Sequence, residues 1–343
     1  MTLDNLPSIP LCFASCSLGQ PTDSLPTRLT HLASAGFTQI ELSFPDLLEF
    51  AKVHLNNKEV GEKDYDALCE AGEEVKMMCR ERELEVFILQ PFANWEGWRE
   101  GSEERREAVE RLDGWIRIMK AVGTRTLQVG STDATNIDSS RAAVVKDLRI
   151  LCDKLKAADP SFRVAYENWC WSTHASTSQA VWEIVQEVDR DNIGLCLDTF
   201  QHSGAVWADP TREDGLADSP NREERFKESL KQLEQIPANK IYFLQISDAY
   251  KISPPLDNKP LDGAFPRSRW SHDYRPFPFS GGYLPVVEVA RAVLRTGFRG
   301  TLSMETFDGG KDGKGREGVE LGEFAREGMR SMRRLLEEVA KED

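Results

Sequence analysis

Arg163-Val-Ala-Tyr-Glu-Asn-Trp169 is an apolar run that closes on a carboxylate, Glu167, where it meets a loop. Apolar runs without alternation suit strands covered on both faces, and parallel α/β architectures gather their chemistry at the carboxyl ends of such strands. The design recurs downstream. Ile193-Gly-Leu-Cys-Leu-Asp198, Ile241-Tyr-Phe-Leu-Gln245 and Thr301-Leu-Ser-Met-Glu305 each finish an apolar strand with an oxygen-bearing side chain. Upstream, residues 11–17, 38–44, 85–92 and 126–131 read as four further strands. Between the strands, helical periodicity and cap residues place helices over 24–35, 63–82, 102–122, 139–158, 176–188, 221–235 and 284–296. A loop rich in proline and aromatics runs from 250 to 283, and a charged helix closes the chain at about 316–342. Eight strands alternating with helices is the count of an α/β TIM (β/α)8 barrel, expected to span 1–343 as one domain. The doubly wound open sheet is disfavoured because no Gly-x-Gly-x-x-Gly turn follows the first strand.

Bulk properties narrow the function. With 57 acidic against 43 basic residues the net charge is -14, which opposes binding to nucleic acid. Residues 1–10 lack the basic start and apolar core of a signal peptide. No apolar run approaches the roughly 20 residues that span a bilayer. A cytoplasmic protein with no membrane partner is the expectation, and self-association into a homo-oligomer stays open. The seven cysteines are scattered and odd in number, and Cys12 and Cys16 lack a second pair to complete a zinc site, so buried, reduced thiols are expected. Gly309-Gly-Lys-Asp-Gly-Lys-Gly315 lacks the spacing of a phosphate loop and reads as a connector.

In a barrel, the ends of strands five to eight border one half of the mouth. Glu167, Asp198, Gln245 and Glu305 therefore converge although 31, 47 and 60 residues separate them. Three carboxylates in a partly desolvated pocket repel one another, and a divalent cation is the simplest compensating charge. An all-oxygen set favours Mg²⁺ or Mn²⁺, with cobalt or zinc as substitutes. Glu41, ending strand two, reads either as a carboxylate supporting this set or as a salt bridge at the core rim.

The segments Val164-Ala-Tyr-Glu-Asn-Trp-Cys-Trp-Ser-Thr173, Gly194-Leu-Cys-Leu-Asp-Thr-Phe200, Phe243-Leu-Gln-Ile-Ser-Asp-Ala249 and Met304-Glu-Thr-Phe307, with Leu89-Gln-Pro-Phe92 and Ala208-Asp-Pro210, resemble the fungal 3-dehydroshikimate dehydratases. These belong to the xylose isomerase-like barrels, the sugar phosphate isomerase/epimerase group. The resemblance runs from about Cys12 to the C-terminal helix. It implies a metal-dependent lyase that converts 3-dehydroshikimate to protocatechuate through a metal-stabilised ene-diolate, with Glu167, Asp198, Gln245 and Glu305 as metal ligands.

The resemblance also implies a carboxylate-binding arginine at Arg275, ahead of a Phe-Pro segment, with Arg267 and Arg269 as less well placed candidates. Gln90 and Trp95 fall at substrate-facing positions, although Trp95 stands where a tyrosine is expected. Bacterial relatives often carry a histidine three residues beyond the strand-six aspartate. This chain has Gln201 there and His202 one step later, so the candidate proton-transfer residues are His202, Gln201 and Glu41, with His174 and His272 as further histidines able to reach the mouth. His31 and His54 read as surface residues. Two alternatives remain: an isomerase or epimerase of a hydroxyketone or sugar acid, and a non-catalytic relative that binds a small acid.

Overall fold

The computed structural model describes residues 6–341 apart from 21, 56–58, 316 and 317. Eight parallel strands close into a barrel in the order β1 (Leu11–Ala14), β2 (Gln39–Ser43), β3 (Glu85–Phe92), β4 (Thr126–Gly130), β5 (Arg163–Glu167), β6 (Ile193–Asp198), β7 (Ile241–Ile246) and, after the short strand β8 (Tyr274–Arg275), β9 (Thr301–Met304). β9 pairs with β1 and seals the barrel. A second, two-stranded sheet joins β8 antiparallel to β10 (Phe307–Asp308). The fold expected from the strand count is thus observed.

Alternation along each strand explains how the interior is filled. Ile88, Ala165, Cys196 and Phe243 form a small apolar cluster separate from the main core. Two residues further along the same strands stand Gln90, Glu167, Asp198 and Gln245, on the same face of the sheet. The interior is therefore apolar at depth and polar toward the C-terminal mouth. Outward positions such as Leu127, Val164, Tyr166 and Leu195 join the large core under the helices.

Local chemistry sets the helix ends. Ser24 accepts the Thr27 amide ahead of Leu25–Ala35, and Gly36 ends that helix at φ 95°. Ser102 accepts the Arg105 amide ahead of Glu103–Val122, which stops at Gly123 at φ 79°. Both glycines occupy left-handed backbone that a Cβ would strain. The last helix, Leu321–Ala340, buries Phe324, Met332, Leu335 and Val339. The expected bounds of this helix near Arg316 and Glu342 lie outside the described residues. Among those residues all seven cysteines are free thiols, and no helix is long and apolar enough to cross a membrane.

Several expected boundaries are corrected. Strand two ends at Ser43 and the chain turns at once into a helix, Phe44–His54. The 250–283 segment is not all loop, because it holds the helix Pro266–Asp273 and β8. β6 ends at Asp198, whose carboxylate accepts the amides of Phe200 and Gln201 and so starts the helix Thr199–Val206. His202 consequently sits on a helix rather than in a loop. It is buried against the outer layer, with Nδ1 3.1 Å from Ser178 Oγ and Nε2 3.0 Å from Ser229 Oγ. Ser229 spends its proton on the Phe226 carbonyl at 2.7 Å, so Nε2 carries the ring proton.

Burial pushes the His202 pKa down to about 4, against about 6.5 in an unfolded chain. Between those values the unfolded chain binds a proton that the folded chain refuses. Stability from this site is therefore complete above about pH 6.5 and declines as pH falls to about 4, by about 3 kcal/mol in all. Urea titrations at stepped pH should show that decline in the wild type and a flatter curve in His202→Asn; equal slopes would refute the assignment.

Candidate functional site

The polar layer at the barrel mouth is built from strand ends. Glu41, Glu167, Asp198, Gln245 and Glu305 are all buried, and one guanidinium, Arg275, is buried with them. β8 delivers Arg275 into the cluster. Its Nη2 lies 2.6 Å from Asp198 Oδ2 and its Nη1 3.0 Å from Glu305 Oε2. Nε donates to Ser247 Oγ at 2.8 Å, and the plane covers Phe200 and Phe307 at 4.7 and 5.5 Å from their ring centres.

Gln245 links the rest. Its Nε2 donates to Glu41 Oε2 at 2.9 Å and to Glu305 Oε1 at 3.0 Å. Gln90 Nε2 reaches Glu305 Oε1 at 3.5 Å and Cys16 Sγ at 3.7 Å. Glu167 accepts from Gln128 and, at 3.1 Å, from Trp169 Nε1. Gly130 permits this approach, since a Cβ there would come within 2.2 Å of the Trp169 ring.

Crowding shows in the acid strengths. Burial raises the pKa of Glu41 and Glu167 well above the usual carboxylate range, and the charge of Glu305 adds to both. Burial also raises Asp198, against the pull of Arg275. Glu305 is lifted to about 7 by burial even though Arg275 lowers it. One guanidinium therefore does not neutralise the set.

These residues suit a hard divalent ion. Glu167 Oε1 and Glu41 Oε1 are buried with no hydrogen-bond partner, as atoms reserved for a cation would be. Among the described residues no three carboxylate, imidazole or thiol groups stand close enough to share one ion. Arg275 holds two of the four expected ligands.

Other expected residues are placed differently. Trp95 does not face the mouth: it is buried beneath Arg105, 4.5 Å from its ring centre, and donates to the Asp147 carbonyl at 2.8 Å. Its position in the outer layer leaves it nothing to offer a substrate. Gln201 accepts the Cys170 amide at 2.9 Å and ties the loop after β5 to the helix Thr199–Val206. His202 points to the outer layer, because the single-residue offset from Gln201 turns it round the helix Thr199–Val206, so the proton-transfer role expected of it has no geometric support. His174 Nε2 meets Tyr166 Oη at 3.1 Å and Glu96 Oε1 at 3.3 Å, on the face of β5 opposite Glu167. Arg267 donates to the Gly204 carbonyl, and Arg269 to those of Asp257 and Lys259.

Sequence reasoning passed over Gln128 and Ser247, whereas Trp169 and Trp171, which flank Cys170, read either as a wall against water or as core packing. A polar residue inside the apolar run Thr126-Leu-Gln-Val-Gly130 was the available signal for Gln128. Trp169 stacks on Trp171 at 5.3 Å; Trp171, His272 and Phe307 continue the series at 6.3 and 6.1 Å. Beside it opens a cleft of about 690 Å³ lined by Cys16, Ser17, His272, Thr306 and Phe307 among others.

Comparison with known proteins agrees with this architecture. The chain is 34% identical over 345 residues, covering 96% of its length and 94% of the relative's, to the 3-dehydroshikimate dehydratase of Neurospora crassa. It is 30% identical to the 3-dehydroshikimate dehydratase of Pseudomonas aeruginosa over 84% of its own length, which is 37% of that longer protein. Among solved structures, a xylose isomerase-like TIM barrel/4-hydroxyphenylpyruvate dioxygenase fusion protein superposes with a TM-score of 0.71 at 25% identity, over 94% of this chain and 42% of the other. The probable 3-DHS dehydratase AsbF of Bacillus anthracis shares the fold at a TM-score of 0.59 and 15% identity, over 95% and 99% of the two chains. The sequence profile of the xylose isomerase-like TIM barrels matches residues 29–335, and the chain belongs to that family.

Proposed function

We propose that the chain is a hydro-lyase that removes water from 3-dehydroshikimate to give protocatechuate. The observation that carries this reading is the likeness to the Neurospora crassa 3-dehydroshikimate dehydratase over 96% of the chain. The site is suited to the chemistry: a carboxylate-rich mouth holds a single buried guanidinium, the group that pairs with a ring carboxylate in a bidentate manner.

Glu167, Asp198, Gln245 and Glu305 are the residues that would hold a divalent ion, with Mg²⁺ or Mn²⁺ favoured by their oxygens. Such an ion, when bound, supplies positive charge to a ketone oxygen and acidifies the neighbouring C–H. The protein's own groups do the remainder. Glu41 accepts from Gln245 and so orients its amide; Gln128 and Trp169 orient Glu167. The roof of Trp169, Trp171 and Phe307 limits water access, and Arg275 recognises the acid. Arg275 holds Asp198 and Glu305, so it would compete with a cation for them, and a guanidinium displaced from these carboxylates would be free for the substrate.

Metal-loaded protein given 3-dehydroshikimate should develop the ultraviolet band of a catechol acid, and a chelator should abolish it. An unchanged substrate with every divalent ion tried would refute the dehydratase reading, and an isomerised product would point to the epimerase alternative. Glu305→Gln should weaken cation binding in calorimetry and cut turnover sharply; full metal content with full activity would remove Glu305 from the ligand set.

Arg275→Gln tests the competition separately. Without the guanidinium the metal-free protein should lose about 3–5 kcal/mol of stability, the cost of leaving buried carboxylates unpaired. Saturating Mn²⁺ should restore much of it, and the variant should bind Mn²⁺ more tightly than wild type. Unchanged cation affinity would contradict the competition.

A further inference from the structure

We infer that His272 is the proton-transfer residue of this reaction, an assignment that rests on the dehydratase reading above. The chemistry needs a group that can both take and return a proton, and neither Gln201, an amide, nor Arg275, a permanent cation, can do so. The chain has five histidines. His31 lies against Gly322 of the last helix, and His54 stacks on Phe50 at 5.3 Å on an outer helix. His174 and His202 are engaged behind the barrel wall, as described above. That leaves one.

His272 is at the right place and in the right form. Its Nδ1 lies 2.6 Å from the Ser268 carbonyl, a partner that can only accept, so in the neutral imidazole Nδ1 carries the proton and Nε2 has the lone pair. The ring stands between Trp171 and Phe307, at 6.3 and 6.1 Å, and Phe307 also lies against the Arg275 guanidinium. The imidazole and the acid-binding arginine thus flank the same aromatic ring, three residues apart on one turn of chain. The cleft His272 lines is shared with Cys16 and Thr306, neighbours of Gln90 and Glu305. Its other ionisable groups are Asp23 on the β1 side, Asp273 beside the histidine, and Asp308 and Lys314 on the β10 side.

The step balances without a co-reactant. Nε2 takes the proton from the carbon between the ketone and the leaving hydroxyl, and the C–H pair becomes the enolate. That pair forms the new C=C bond as the C–O bond breaks, and the imidazolium returns its proton to the departing oxygen, which leaves as water. Transfer of a remaining ring proton to the ketone oxygen completes the aromatic ring. Imidazole is neutral at the start and at the end.

His272→Asn and His272→Ala test this. Both should bind Mn²⁺ like the wild type by calorimetry and melt normally, while kcat falls by about 10²–10⁴-fold, the range of a lost acid–base group. The limb on which wild-type kcat/KM declines with falling pH, as the base becomes protonated, should vanish. Added imidazole should restore turnover to His272→Ala through the open cleft. Wild-type kcat in either variant, or a loss of kcat that keeps the acid limb and resists imidazole, would overturn the assignment while leaving the dehydratase reading intact. Failure of the wild type itself to consume 3-dehydroshikimate would overturn both.

Discussion

Burying the Arg275 guanidinium against Asp198 and Glu305 is the constraint on which the barrel mouth depends. Four carboxyl groups, Glu41, Glu167, Asp198 and Glu305, are removed from water there, and desolvating each charged form costs several kcal/mol unless a countercharge offsets it. Arg275 brings one positive charge to four groups. Burial, which this single countercharge does not offset, raises the pKa values, with Glu305 at about 7 despite its ion pair. A set that is acid-rich by three charges when fully ionised remains short of positive charge with Arg275 in place.

The parity of the strands then decides which polar residues face that demand. Glu167 and Tyr166 are neighbours, yet Glu167 meets the interior while Tyr166 packs with Glu96 and His174 outside. Gln201 and His202 are separated in the same way on a helix. Such one-residue steps were legible for strands, because an apolar run closing on a carboxylate marks both the strand and its inner face. They were not legible at Trp95 or His202, whose direction depends on where the strand ends and a turn begins. Where a strand gives way to a helix the period changes from 2 to 3.6 residues, and strand parity no longer gives the direction of a side chain.

The hydrophobic rhythm disclosed the eight strands and most helices, since both periods survive in the sequence. The Phe44–His54 and Thr199–Val206 helices did not show, because each starts directly at a strand end with no loop to announce it. Pro266–Asp273 hid for another reason. Its residues, Pro-Arg-Ser-Arg-Trp-Ser-His-Asp, bury only Ser268, Trp270 and Ser271, too few for a helical stripe. Tertiary contacts hold it: Trp270 is fully buried and donates to the Tyr250 carbonyl at 3.0 Å.

That concealed element leads directly into the strand that holds the guanidinium at the mouth. β8 pairs with β10 in the register Arg275 opposite Phe307 and Tyr274 opposite Asp308, so the segment bearing Arg275 is hydrogen-bonded to the segment that follows Glu305. The arginine cannot drift from the carboxylates without breaking backbone pairing, whereas its side chain can exchange partners within reach. One short antiparallel sheet laid across the end of a parallel barrel thus fixes where Arg275 meets the carboxylate cluster. It also sets His272, near the end of the helix Pro266–Asp273, three residues ahead of Arg275 and against the same Phe307 ring. The barrel strands bring the carboxylates together, and the segment laid across them brings the guanidinium that pairs with two of them.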